Sequence, residues 1–302
     1  MRGNPMIHFV KREHILIGIG LSITAAVLVV LAFLLGAPSC LAAESSGLPA
    51  YLSDRGDGIP TSLFGTYIRE KEILFYPFYE YTRTSKFEYS PNELGFSGDQ
   101  EFFGEVDEHE LLVFFAYAFN DSFAIEFESA LYSSADFTKS PDDTTAVPGK
   151  IKESGLGDTE INLRWRYLKE TASRPEFTFF FKTVFPLQED KKLIGTQDWE
   201  FEPGIVLTKG FSIGTFALRM SVAYDTGGDL DVGEWAIDYV KRLTSGWRGV
   251  LSLEGDEGDE VSIIGELQYT LSKNAVLKLN CGFGLTEKAP NYAPEIGVMF
   301  RF

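Results

Sequence analysis

The chain has 302 residues and a formal net charge of −17, with 44 Asp and Glu against 27 Lys and Arg. That balance excludes a nucleic-acid partner, because a phosphate backbone needs a cationic surface. The chain is also rich in Phe, with 26 residues, more than the surface of a secreted soluble protein would carry.

The first segment reads as a leader. Arg2, Lys11 and Arg12 precede an uncharged apolar run from Ile15 to Ala37, and small residues follow it. The sequence predicts a signal peptide over 1–43, cleaved at the small-x-small site before Glu44. An uncleaved anchor and a lipoprotein modified at Cys40 are the alternatives. The second lacks the leucine expected three residues before the cysteine. Once the leader is gone, only Cys281 remains, so no intrachain disulfide can form.

Residues 44–67, "ESSGLPAYLSDRGDGIPTSLFGTY", are rich in Gly, Pro and Ser and have no periodicity. They read as an irregular segment, periplasmic or tucked into whatever follows. Arg55-Gly56-Asp57 matches an adhesion tripeptide, but three residues match by chance, and a turn is the simpler reading.

From residue 68 the chain reads as strand after strand. Twelve are expected: 72–86, 109–119, 123–134, 157–168, 176–187, 199–208, 212–224, 232–243, 247–254, 261–271, 275–285 and 292–302. Most alternate with period two. In the fourth, Ile161, Leu163, Trp165 and Tyr167 oppose Glu160, Asn162, Arg164 and Arg166. The second and fifth are partly apolar on both faces. Connections alternate between short turns and longer segments, the longest near 87–108 and 135–156. Trp199, Tyr224, Trp235 and Tyr292 fall at the loop end of the apolar face, and Tyr167, Trp247 and Tyr269 at the turn end. These two girdles, the sided connections and a final aromatic strand predict an all-β fold, an antiparallel transmembrane barrel over 68–302 in the bacterial outer membrane. An even strand count puts both termini on the periplasmic side. Its outer face meets membrane lipid and lipopolysaccharide.

The stretch "ESGLGDTEINLRWRYL" (153–168), followed by a strand and "KTVFPL", resembles outer-membrane proteins of the putative phenol-degradation MetA-pathway transporter type. The turn is Gly155, Gly157 and Asp158, and the basic residues of the strand are Arg164 and Arg166. "DRGDGIPTSLFGTYI" is similar to the N-terminal stretch of uncharacterised relatives. The resemblance implies uptake of small apolar or aromatic compounds; separately, the terminal Phe302 resembles the signal by which outer-membrane proteins are recognised by the barrel assembly machinery.

No catalytic constellation stands out. After the leader the only histidine is His109, with no serine beside it in a recognisable motif. No catalytic, cofactor or metal site is expected; His and Cys are too few, and the acidic stretches 225–231 and 255–260 lack the EF-hand spacing. The acidic loops are expected to be solvated. The inward faces carry the informative charges. A luminal ladder is expected from Glu126, Glu128, Arg164, Arg166, Lys182, Glu202, Arg219, Asp238, Arg248 and Glu266, with Glu126 and Glu128 near Arg164 and Arg166, Arg248 near Glu266, and Arg219 near Asp238. The expected function is a narrow pore or transporter for small solutes. The alternative is a non-conducting barrel that serves structure or attachment through its acidic loops.

Two outcomes follow from the ends of the chain. N-terminal sequencing of the outer-membrane fraction should begin near Ala43, and recovery of Met1 there would contradict cleavage. Deleting Phe302 should leave export intact but lower the yield of folded, heat-modifiable protein; an unchanged yield would remove its role as an assembly signal.

Overall fold

A computed structural model describes residues 47–188, 190–228, 230–255 and 260–302. The leader with Cys40, the cleavage site, Asp229 and residues 256–259 of the acidic loops lie outside the described residues.

A single 3-10 turn (Ala50–Leu52) opens the described chain. A short hairpin follows, β1 (Ile59–Pro60) against β2 (Tyr67–Ile68). The wall is built from β3 (Ile73–Tyr89), β4 (Phe102–Ala118), β5 (Phe123–Thr138), β6 (Lys150–Gly155), β7 (Thr159–Leu168), β8 (Glu176–Val184), β9 (Glu200–Phe211), β10 (Gly214–Asp225), β11 (Leu230–Arg242), β12 (Trp247–Gly255), β13 (Val261–Ser272), β14 (Ala275–Gly284) and β15 (Ala293–Arg301). Each strand pairs antiparallel with its neighbours. Both β6 and β7 pair with β5. Between them Gly157 donates to the Ala130 carbonyl at 2.8 Å and Ala130 donates to the Asp158 carbonyl at 2.9 Å. They are therefore one strand broken by a bulge, and the wall has twelve strands.

The sheet closes on itself. β15 pairs with β3 from Arg301↔Leu74 to Glu295↔Glu80. Ile73 and Phe302 exchange both backbone hydrogen bonds at 3.0 Å. Closure matters because lipid offers no partner to an unpaired N–H or C=O. The outward face is apolar all round: Phe75, Phe115, Phe127, Leu163, Trp165, Phe179, Leu218, Leu267, Leu279 and Ile296 are all exposed on it. The seven girdle aromatics also stand outward. Trp247 and Tyr269 are cross-strand partners with ring centroids 4.6 Å apart, and Trp199 stacks on Phe201 at 6.2 Å.

Two sequence expectations change here. Residues 87–89, 102–108 and 135–138 were expected in connections but belong to β3, β4 and β5. These strands rise above the apolar band, and there the outer face meets water while the inner face packs under loops. The alternation therefore inverts. Tyr89, Phe102, Val106 and Phe137 turn inward and form a small core with Leu94, Val147 and Ile194. Arg83 turns outward and pairs with Glu105 and Asp107, each at 2.5 Å. A single polarity rule applied along the whole strand reads that inversion as a loop. Acidic residues at the loop end are also partly paired rather than only solvated: Lys288 holds Glu88 of β3 at 2.5 Å and Lys139 holds Asp143 at 3.6 Å.

The second change explains why the second and fifth expected strands looked apolar on both faces. Leu112, Phe114 and Ala116 of β4 face inward, with Leu74, Tyr76 and Phe78 of β3. They meet no water because Ile59 and Ile68 of the N-terminal hairpin pack on them. In β8 the inward Phe180 covers Gly204 of β9, its cross-strand partner. Residues 47–67 of the irregular segment are thus inside the barrel.

Candidate functional site: a plugged lumen

The N-terminal segment crosses the lumen as a plug, and its seat is built into the sequence on both sides. On the plug side, Gly65 adopts φ +66°, the left-handed conformation that favours glycine. A Cβ there would also come within 2.4 Å of Val250. At the wall, a Cβ on Gly210 would approach the Tyr51 carbonyl to 1.7 Å, so β9 accepts the plug only at a glycine.

Once off the wall, the plug backbone has few backbone partners, and buried carbonyls must be satisfied. Basic side chains of the wall do this one by one. Arg242 Nε donates to the Ser53 carbonyl at 3.0 Å. Arg166 Nη1 donates to Gly58 O at 2.7 Å. Arg219 Nη1 reaches Ser62 O at 3.3 Å, Arg248 Nη1 reaches Gly65 O at 3.3 Å, and Arg301 Nη1 reaches Tyr67 O at 3.2 Å. Lys278 Nζ donates to Thr66 Oγ1 at 3.3 Å. In the opposite sense, the Ser62 N–H donates to Glu126, with both carboxylate oxygens at 3.2 Å. The plug contributes one buried cation, Arg55. Its Nη2 lies 3.1 Å from both Glu170 and Glu176, and its guanidinium sits 4.8 Å above the Tyr67 ring. At the short-turn end, outside the span, Lys169 hydrogen-bonds Asp121 and holds its carboxyl below the usual carboxylate range.

The expected ladder is rearranged accordingly. Glu126 and Arg164 do pair, at 3.0 Å. Lys182 bridges Glu202 and Glu234, the latter at 2.7 Å. Three other pairings are not formed. Arg166 goes to Gly58 and to Glu176 at 3.3 Å, leaving Glu128 facing a cavity. Arg248 stands opposite Gln268, not Glu266, and bonds it at 3.2 Å. Glu266 instead pairs with Lys278 at 3.2 Å. Arg219 stands opposite Ala236, with Glu254 at 3.7 Å, while Asp238 accepts from Ser252 at 2.6 Å. The register lies two residues from the expected one in both cases, and two residues is one full repeat of the pleat, so face assignments survive while partners change.

Sequence reasoning missed Arg55, Glu170 and Glu176. Arg55 was hidden in a tripeptide dismissed as a turn, although an arginine among glycines in a segment without periodicity needs a partner. Glu176 could have been found as the one carboxylate opening the fifth expected strand on its inward parity. His109 stands outward, with Nδ1 2.7 Å from the Tyr79 hydroxyl, away from the lumen.

Space remains on both sides of the plug. On the loop side a cavity of about 400 Å³ is lined by Glu80, Glu234, Glu254, Glu295, Arg219 and the plug residue Phe64. A second, of about 330 Å³, shares Phe64, Glu80, Arg219, Glu234 and Glu295 and adds Glu110, Glu128 and Glu160. On the turn side lies a cavity of about 180 Å³ whose charged lining residues are basic apart from Asp57.

A closed antiparallel barrel with an apolar outer band, aromatic girdles and a charged lumen defines an outer-membrane β-barrel. Residues 96–302 match the family model described as putative MetA-pathway of phenol degradation, and the chain belongs to that family. An outer membrane channel from Pseudomonas putida F1 superposes with a TM-score of 0.54 at 11% identity, over 81% of this chain and 100% of that one. The toluene transporter of Ralstonia pickettii gives 0.42 at 9% identity, over 78% and 90%. Outer membrane phospholipase A of Escherichia coli gives 0.39 at 11%, over 80% and 93%. At these identities the likeness speaks for the fold alone, and the two weaker superpositions carry no argument. No curated protein sequence matches the chain significantly.

Arg55→Ala should unseat the plug. It leaves Glu170 and Glu176 buried without that partner, a loss of about 3–5 kcal/mol for a broken buried pair. Limited proteolysis of the folded protein should then cut within 47–67, while the barrel band stays intact. Protection equal to wild type would mean that the carbonyl contacts alone hold the segment.

Proposed function

We propose that the protein is a narrow outer-membrane pore for small solutes, with residues 47–67 setting its bore. The observation that carries this reading is the pair of luminal spaces on either side of a plug held by polar, exchangeable contacts. Eight strands leave a barrel filled by its own side chains and sixteen leave an open channel. Twelve leave room for one extended segment, and here a segment occupies it. A plug seated by hydrogen bonds to single arginines can shift without exposing a large apolar core. Small apolar or aromatic solutes fit the family's description, and the Phe64 ring beside carboxylates offers such a solute one apolar face. Among the described residues no part of the lumen combines a nucleophile with a histidine base, which speaks against a hydrolase. Its partners in this reading are membrane lipid and lipopolysaccharide outside, and the barrel assembly machinery during insertion.

The occupied lumen also favours a second reading, a non-conducting barrel that serves structure or attachment. Planar-bilayer recording separates the two. The purified mature chain should show small single-channel steps, and a chain lacking 47–66 should show steps several-fold larger. Arg164→Ala should lower the melting temperature and move the reversal potential toward cation selectivity, because Glu126 loses its partner. Uptake of benzoate into proteoliposomes should rise with the larger steps. Silence from both chains would assign the barrel to the non-conducting reading.

A further inference from the structure

The turn-side cavity differs in charge from those on the loop side. Six cations line it, Arg55, Arg69, Arg242, Arg248, Lys273 and Arg301, against the single carboxylate Asp57. Arg242 of β11 and Arg248 of β12 are direct cross-strand partners. Like charges set opposite each other repel, and a sheet tolerates them where something negative is shared. Neither guanidinium makes an ion pair with a carboxylate among the described residues, although the Arg242 backbone N–H donates to Asp54 Oδ1 at 2.9 Å. The Arg242 guanidinium donates only from Nε, to Ser53 O, and that of Arg248 only from Nη1, to Gly65 O and Gln268 Oε1. Two nitrogens on each guanidinium therefore carry unused donors toward a space of about 180 Å³. By contrast, Arg55 of the plug and Arg301 of the wall, which line the same cavity, are already neutralised, by Glu170 and Glu176 and by Glu72 respectively.

We infer that Arg242 and Arg248 form a seat for a small oxyanion, a carboxylate or a phosphate, entered from the short-turn side of the barrel. A planar carboxylate or a tetrahedral phosphate can accept from both forks at once, which a lysine pair could not match in geometry. Entry is from the turn side because Thr244–Gly246 and Lys273 form the rim, while an anion arriving from the other side would first cross the glutamate-lined cavities. The same two side chains hold the Ser53 and Gly65 carbonyls of the plug. A bound anion would therefore brace the plug. The inference rests on the plugged structure and on which end is periplasmic, not on conduction.

The test is calorimetric titration of the detergent-folded mature chain at constant ionic strength, with inorganic phosphate in one arm and benzoate in the other. One saturable site for either probe is expected, at least tenfold weaker in the Arg242→Gln/Arg248→Gln double variant and unchanged in Lys150→Gln at the far end. Saturation by phosphate alone identifies a mineral anion, and saturation by benzoate alone a carboxylate solute; both support the seat. Should the double variant not fold, Arg248→Lys keeps the charge but loses the fork and should bind several-fold more weakly. No saturation by either probe overturns the proposal, as does binding that the arginine substitutions leave untouched.

Discussion

Everything in this molecule follows from the absence of hydrogen-bond partners in hydrocarbon. Each strand must pair on both sides, so the sheet must close, and closure is made by β15 against β3 with Ile73 and Phe302 exchanging their backbone hydrogen bonds. A closed wall of twelve strands encloses more space than its own side chains fill. The same rule then acts a second time, on the segment that fills it. The plug leaves the wall with buried carbonyls that the ladder cannot serve, and five arginines supply the missing donors from five different strands.

That division of labour gives the lumen two kinds of wall. From Leu74 to Phe78 on β3 and from Leu112 to Ala116 on β4 the inner face is apolar and packs on Ile59 and Ile68. From β7 round to β15 the inner face carries charge. A plug with an apolar side and a polar side is oriented by this contrast, much as an amphipathic element is oriented at a surface. Gly65 and Gly210 add steric conditions at its turn and at its first contact. Packing fixes one side of the plug in place, and hydrogen bonds on the other side hold it at individually small cost.

The charges that remain are sorted along the axis. Glutamates dominate the loop-side cavities and arginines the turn-side one. A solute crossing the barrel meets a field of one sign before the plug and of the other sign after it. In a narrow, weakly screened lumen such a field selects by charge more sharply than bore alone does. A neutral solute is least penalised by both halves.

The outer surface was legible in the sequence because lipid imposes one simple condition on it. Period-two alternation, the girdle residues from Trp199 to Tyr292, the sided turns and the twelve strand positions all follow from that condition. It ends where the bilayer ends, so the inverted pattern of Phe102 to Glu108 escaped it. The interior was decided by tertiary structure. Parity placed Arg166, Arg219 and Arg248 inside, but their partners depend on a register that shifts by whole pleats without changing any face. Those partners also include backbone carbonyls of residues far away in sequence, and a carbonyl has no side-chain identity for a pattern to detect. That residues 47–67 lie in the lumen, and that Arg55 anchors them on Glu170 and Glu176, became visible only when the barrel closed around them.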